Sequence, residues 1–115
     1  MEGHAIIVAD TAGRIGQWND GAEVLFGYSA SEAIGRSLDL IVPAELQEAH
    51  WRGFRRAMAD PHVKDLAADL PVRCADGVVR HYAGRLLTLS DGLGAALGAM
   101  AIYSSTGTTG VRPFG

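Results

Sequence analysis

The sequence predicts an α+β domain, a five-stranded antiparallel sheet with short helices and one longer helix covering one face. Two strand-like runs open the chain and three longer ones close it, with helical segments between them. A sheet of that kind buries its apolar face when the central helices cover it. The 115 residues hold one such domain, since a second core needs roughly another hundred residues.

Ala5-Ile-Ile-Val-Ala9 is a β-branched run, Asp10-Thr-Ala-Gly13 is a turn, and Arg14-Ile-Gly-Gln-Trp18 has a strand's length, so the three read as a hairpin. Asn19-Asp20-Gly21 caps a brief helix over Ala22–Phe26, because an Asn or Asp side chain accepts from the free amides of a first turn, and Gly27 ends it. Ser29 and Glu32 have capping-box spacing before Ala33-Ile34, with Gly35 closing that segment. The longest helical pattern runs from about Pro43 to Ala59. Leu46, Ala49, His50, Gly53, Phe54, Ala57 and Met58 recur on one face, and Glu45, Gln47, Glu48, Arg52, Arg55 and Arg56 fall largely on the other. Acidic residues in its first half and arginines in its second suit the helix dipole, and Pro61 stops it. From Leu66 onward the pattern changes to strands: Leu70–Cys74, the turn Ala75-Asp76-Gly77, Val78–Leu89, the turn Ser90-Asp91-Gly92, then Ala95–Ser104. Residues 1–104 form the domain. The Gly- and Thr-rich stretch 105–115 lacks periodicity and reads as a flexible tail.

The balance of 10 Lys+Arg against 13 Asp+Glu, net −3, lacks the positive field that attraction to a phosphate backbone requires, so nucleic acid is not an expected partner. The apolar runs fall short of the roughly 18 to 20 residues that cross a bilayer, so no membrane span is expected. No basic region precedes Ala5-Ile-Ile-Val, which argues against a signal peptide and makes the cytoplasm the expected location. The single Cys74 closes no intramolecular disulfide, leaving stability to packing. No Gly-x-Ser-x-Gly elbow or other linked nucleophile and base is present, so the chain does not read as an enzyme. His4, His50, His62 and His81 lack a clustered zinc-ligand spacing. Gly92-Leu-Gly94-Ala-Ala-Leu-Gly98 imitates a dinucleotide fingerprint, but a strand follows it where a helix is needed, so its glycines read as turn residues.

Taken as a set, Ile6-Ile-Val-Ala-Asp10, Gly13-Arg-Ile, Trp18-Asn19, Ala22-Glu23, Leu25-Phe-Gly-Tyr28, Glu32-Ala-Ile-Gly35, Leu40-Ile-Val-Pro43 and Arg73 followed by Asp76-Gly77 resemble the PAS sensor family over about residues 5 to 104. The resemblance implies a small-molecule or cofactor site between the helices and the inner face of the sheet, or dimerisation alone. It also implies a homodimer and a downstream signalling module or partner outside this chain.

The segment Leu38–Arg56 looks like the haem-binding PAS domains of oxygen-sensing histidine kinases and phosphodiesterases, whose proximal ligand is a histidine at this place. His50 takes that position. It also lies on the apolar stripe between Leu46 and Phe54, where a neutral imidazole can face a buried iron. Gly53, three residues on, leaves room for a flat ring. The resemblance further implies that Arg56 and His62 contact the propionates of haem b, with Val63 in the same loop. Ala68 stands where the oxygen-sensing kinases carry a distal arginine, so the donor expected over a bound gas is missing, and CO, NO or a sixth protein ligand fits better than strong O2 binding. Met100 is the candidate sixth ligand, against its reading as a core residue. Gly84 and Leu86 match the distal wall. Residues Asp39–Glu48 contain no cysteine, which excludes flavin photochemistry of the LOV type and leaves noncovalent flavin as an alternative cofactor. The first expectation is therefore a haem sensor of a diatomic gas or of redox state. The second is a haem-free interaction module, or a PAS domain holding another organic ligand.

Overall fold

The computed structural model describes residues 3–60 and 65–105. The expected tail, apart from Ser105, lies outside them. The chain runs β1 (His4–Ala9), β2 (Ile15–Trp18), α1 (Asp20–Phe26), α2 (Ala30–Ala33), α3 (Gln47–Ala59), β3 (Asp65–Arg73), β4 (Val79–Ser90) and β5 (Ala96–Ser104). The five strands form one antiparallel sheet in the order β2-β1-β5-β4-β3.

The local chemistry explains most boundaries. Asp10 Oδ1 accepts from the amides of Ala12 and Arg14 at 3.0 and 2.9 Å, which folds the turn between β1 and β2. Asn19 caps α1 by accepting from the Ala22 amide at 2.9 Å, and the same oxygen accepts from the Ile6 amide at 2.8 Å, so the cap also pins α1 to β1. Gly27 ends α1 in the left-handed region at φ 87°. Ser29 and Glu32 form the anticipated capping box, whose hydrogen bonds hold the Glu32 carboxyl below its usual range.

The long helix differs from its expected start at Pro43. Ala44–Leu46 is a 3₁₀ turn, and α-helix begins at Gln47. Leu46 has no capping side chain, and tighter i→i+3 bonds satisfy the exposed amides instead. A second 3₁₀ turn, Leu38–Leu40, begins at Ser37, whose hydroxyl accepts from the Asp39 amide. β3 starts at Asp65, earlier than Leu70, because pairing with the long β4 outweighs the weak strand propensity of Ala67, Ala68 and Asp69. Pro71 is tolerated there because β3 is an edge strand.

Ala5, Ile7, Leu70, Val72, Tyr82 and Tyr103 lie on the inner face of the sheet, beneath the helices. Phe26 meets Trp18, Tyr82 and Tyr103 edge-on at 5.7, 5.3 and 4.9 Å between ring centroids. The polar tips of these rings are served: Trp18 Nε1 donates to the Tyr28 carbonyl at 2.9 Å and Tyr82 Oη donates to the Leu25 carbonyl at 2.8 Å. Cys74 is a free, buried thiol. Among the described residues no helix is long and apolar enough to cross a membrane.

Trp51 attaches α3 to this frame. Its indole N–H donates to Asp39 Oδ1 at 2.7 Å, and its ring lies against Gly13, where a Cβ would collide with it. Gly13 also sits at φ 79°, so both backbone and space demand glycine. Gly13→Ala is expected to lower unfolding stability by about 1–3 kcal/mol, read from the midpoint of a urea transition. An unchanged midpoint would show that Trp51 does not need this seat.

Candidate functional site

Beneath α3 the sheet carries small side chains. Ala9 pairs with Ala99 and Ile7 with Ala101 on adjacent strands, while α3 presents Ala49, Gly53 and Ala57. Small residues on both walls leave a gap, and a cavity of about 440 Å³ lies between the helix and the inner face of the sheet. That is the size of a small-molecule site, for which the usual range is about 300–1,000 Å³. No residue of α3 is fully buried, so its apolar stripe borders open volume.

His50 is half-buried on the α3 wall. Its ring packs edge-on against Trp51 at 4.8 Å and stacks on Phe54 at 6.1 Å with an interplanar angle of 30°. Its Nδ1 is shielded from solvent. Burial lowers its pKa from the ordinary 6.5, and the nearby Asp39 carboxylate partly opposes this, so the imidazole is neutral at pH 7. Phe54 is half-buried on the same wall, and Gly53 has open space where a Cβ would stand. Arg56 is exposed on the helix and borders the cavity, as does Arg52, which pairs with Glu48 at 3.3 Å. Leu86 lines the cavity from β4.

Two expected wall residues stand elsewhere. Ala68 and Gly84 face each other across β3 and β4, and Ala68 is fully buried in the core. Neither borders the cavity, because Leu70 fills the space over Gly84. Met100 is in register with Val8 on β1 and Leu87 on β4, whereas the inner-face residues Ala99 and Ala101 flank it. Met100 borders the cavity from β5, while strand alternation turns its side chain toward the outer face of the sheet. His62 and Val63 lie outside the described residues.

The residues present fit haem b. A neutral imidazole faces an apolar cavity, the adjacent glycine leaves open space, and arginine lies at the rim. Among the described residues no group of three or more His, Cys, Asp or Glu side chains can hold a metal ion by itself. Sequence reasoning missed much of the lining, including two polar residues, Arg52 and Thr88. Arg52 was hidden among the charges of the polar helix face. Thr88 was legible as the one hydroxyl within the run Leu86-Leu-Thr-Leu89, two residues from Leu86 and so on the same face.

Residues 3–108 match the model of the PAS fold, and the chain belongs to the PAS family. A protein of Azorhizobium caulinodans described as uncharacterized is 37% identical over 78 residues, covering 65% of this chain and 11% of that protein. The chain thus spans a small part of that relative's length. The PAS domain of a Colwellia psychrerythraea protein superposes with a TM-score of 0.75 at 24% identity, over 87% of this chain and 83% of that one. The PAS domain of the Cronobacter turicensis quorum-sensing receptor RpfR, in complex with BDSF, superposes with a TM-score of 0.62 at 16% identity, over 88% of this chain and 89% of that one. The fold defines a PAS sensory module with a ligand-sized cavity under α3.

The depressed His50 pKa has a defined sign. The unfolded chain binds a proton at this histidine before the folded chain does, so stability is full above about pH 6.5 and is lost as pH falls through the folded pKa. His50→Gln is expected to flatten the fall in urea-unfolding stability below pH 6.5. A slope identical to that of the wild type would place the titration in another group.

Proposed function

We propose that this PAS module holds haem b in the cavity under α3, with His50 as proximal ligand, and senses a diatomic gas (CO, NO or O2) or redox state for signal transduction. The observation that carries the reading is a neutral, half-buried imidazole on the wall of an apolar, ligand-sized cavity. Haem iron held by one imidazole offers a further coordination position to a small gas. His50 would orient the group, Phe54 and Leu86 would pack against its apolar surface, and Arg52 and Arg56 would offset its carboxylates at the rim. Trp51, in contact with His50, would pass a shift of the imidazole to Asp39 and the Gly13 turn. The chain performs no reaction of its own in this reading. It works in the cytoplasm as a homodimer and signals to a module or partner outside this chain.

A second reading is favoured by one feature, arginines at the rim of an otherwise apolar cavity. It is haem-free, and the guest is an organic molecule with an anionic end, a flavin or a fatty acid of the kind in the RpfR complexes with BDSF and C12:0. A haem-free interaction module, dimerising with its cavity filled by side chains, is the form of this reading with no guest.

Visible spectra after adding hemin to the wild type and to His50→Ala separate the two. The haem reading expects a sharp Soret band that is lost or broadened in His50→Ala and shifts under CO and NO. A broad band indifferent to His50 would overturn it in favour of the haem-free readings.

A further inference from the structure

The tip of the β4–β5 hairpin holds an apolar side chain in solvent. Leu93 is 91% exposed, more than any other large apolar residue described, and Leu97, at the bulge near the loop, is 59% exposed. The loop that carries Leu93 is ordered by its own hydrogen bonds. Asp91 Oδ1 accepts from the Leu93 and Ala95 amides at 2.7 and 3.1 Å, the Asp91 amide donates to the Ala95 carbonyl at 3.0 Å, and Ser90 Oγ accepts from the Gly92 amide at 3.0 Å. Gly92 and Gly94 take φ values of 78° and 102°, which a residue with a side chain rarely adopts. The bonds from Leu93 and Ala95 hold the Asp91 carboxyl below its usual range, so the knob carries a negative charge at its base. A leucine held out by an ordered loop gives up burial that a partner can recover at little entropic cost.

The cavity under α3 has the complementary chemistry. Its walls are largely apolar, and Arg52 and Arg56 stand at its rim. Its volume of about 440 Å³ exceeds that of two leucine side chains, each on the order of 150 Å³. We infer that, in the guest-free protein, Leu93 and Leu97 of one copy enter the α3 cavity of a second copy, with Asp91 against the arginines at the rim, an inference that rests on the guest-free form of the second reading. The contact is reciprocal about a two-fold axis, because each copy carries both the knob and the cavity. It names the side chains that fill the cavity when no small molecule does.

Sedimentation velocity on the wild type and three variants tests this. The wild type is expected to dimerise with a Kd in the micromolar range. Leu93 is almost fully exposed within its own copy, so Leu93→Ser is expected to leave the urea midpoint of the dilute protein unchanged. It is expected to raise the dimer Kd at least about a hundredfold, since two leucines are lost per dimer. Asp91→Asn keeps the oxygen that accepts the loop bonds and is expected to raise the Kd about three- to tenfold and to weaken its salt dependence. Gly53→Leu fills the cavity from its own wall and is expected to abolish the dimer with Leu93 intact. A dimer of wild-type strength in Leu93→Ser or in Gly53→Leu overturns the inference and leaves a haem-free dimerising module standing. A wild type that stays monomeric at millimolar concentration overturns both.

Discussion

Trp51 fixes the long helix over the sheet. Its ring occupies the place that Gly13 leaves free, and its indole N–H reaches Asp39, so a short stretch near the start of α3 is tied to the β1–β2 turn and to the 3₁₀ turn before it. Arg73 on β3 reinforces that seat by donating to the Asp39 carbonyl at 2.7 Å. The helix beyond this point has no fully buried residue, and its apolar side faces the cavity. An element tied at one end and bordering open volume along its length can respond to what fills that volume. Filling it adds the contacts that the walls lack on their open side.

The aromatic cluster around Phe26 supplies the rigidity against which such movement is measured. Trp18, Tyr82 and Tyr103 converge on that ring, with Tyr82 and Trp18 also hydrogen-bonded to backbone carbonyls of the α1 region. Burial raises the Tyr82 phenol to about 12 and holds that of Tyr103 above its usual range, so both stay neutral at any working pH. At the turn between β3 and β4, Asp76 is drawn down to about 2 by the two hydrogen bonds from Arg80 at its surface. That pair is solvent-exposed and shapes the turn more than it stabilises the fold.

Much of the fold was legible because caps and turns act locally. Asn19, Ser29 with Glu32, Asp10, Gly27 and Gly77 specify their segments through hydrogen bonds or φ values that neighbouring residues alone determine. His50, Gly53 and Phe54 were legible as lining residues from helix periodicity, and Leu86 from the family resemblance. Met100 also borders the cavity, but its orientation was not legible, since Ala-Leu-Gly-Ala-Met-Ala-Ile-Tyr does not alternate in polarity and its face is decided by register with Val8 and Leu87. Ala68 and Gly84 were misjudged for a similar reason: only the packed position of Leu70 shows that the wall is closed there. The cavity itself has no sequence signature, because it arises from alanines on β1, β5 and α3 that are far apart in the chain.

Hydrogen exchange at the amides of α3, with and without hemin, tests most directly whether this helix is completed by a guest. The account predicts that α3 exchanges faster than β4 and β5 in the ligand-free protein and becomes protected when hemin is added, with the residues after Trp51 gaining most. Protection of α3 equal to that of the central strands without any ligand, or no gain on adding hemin, would contradict it.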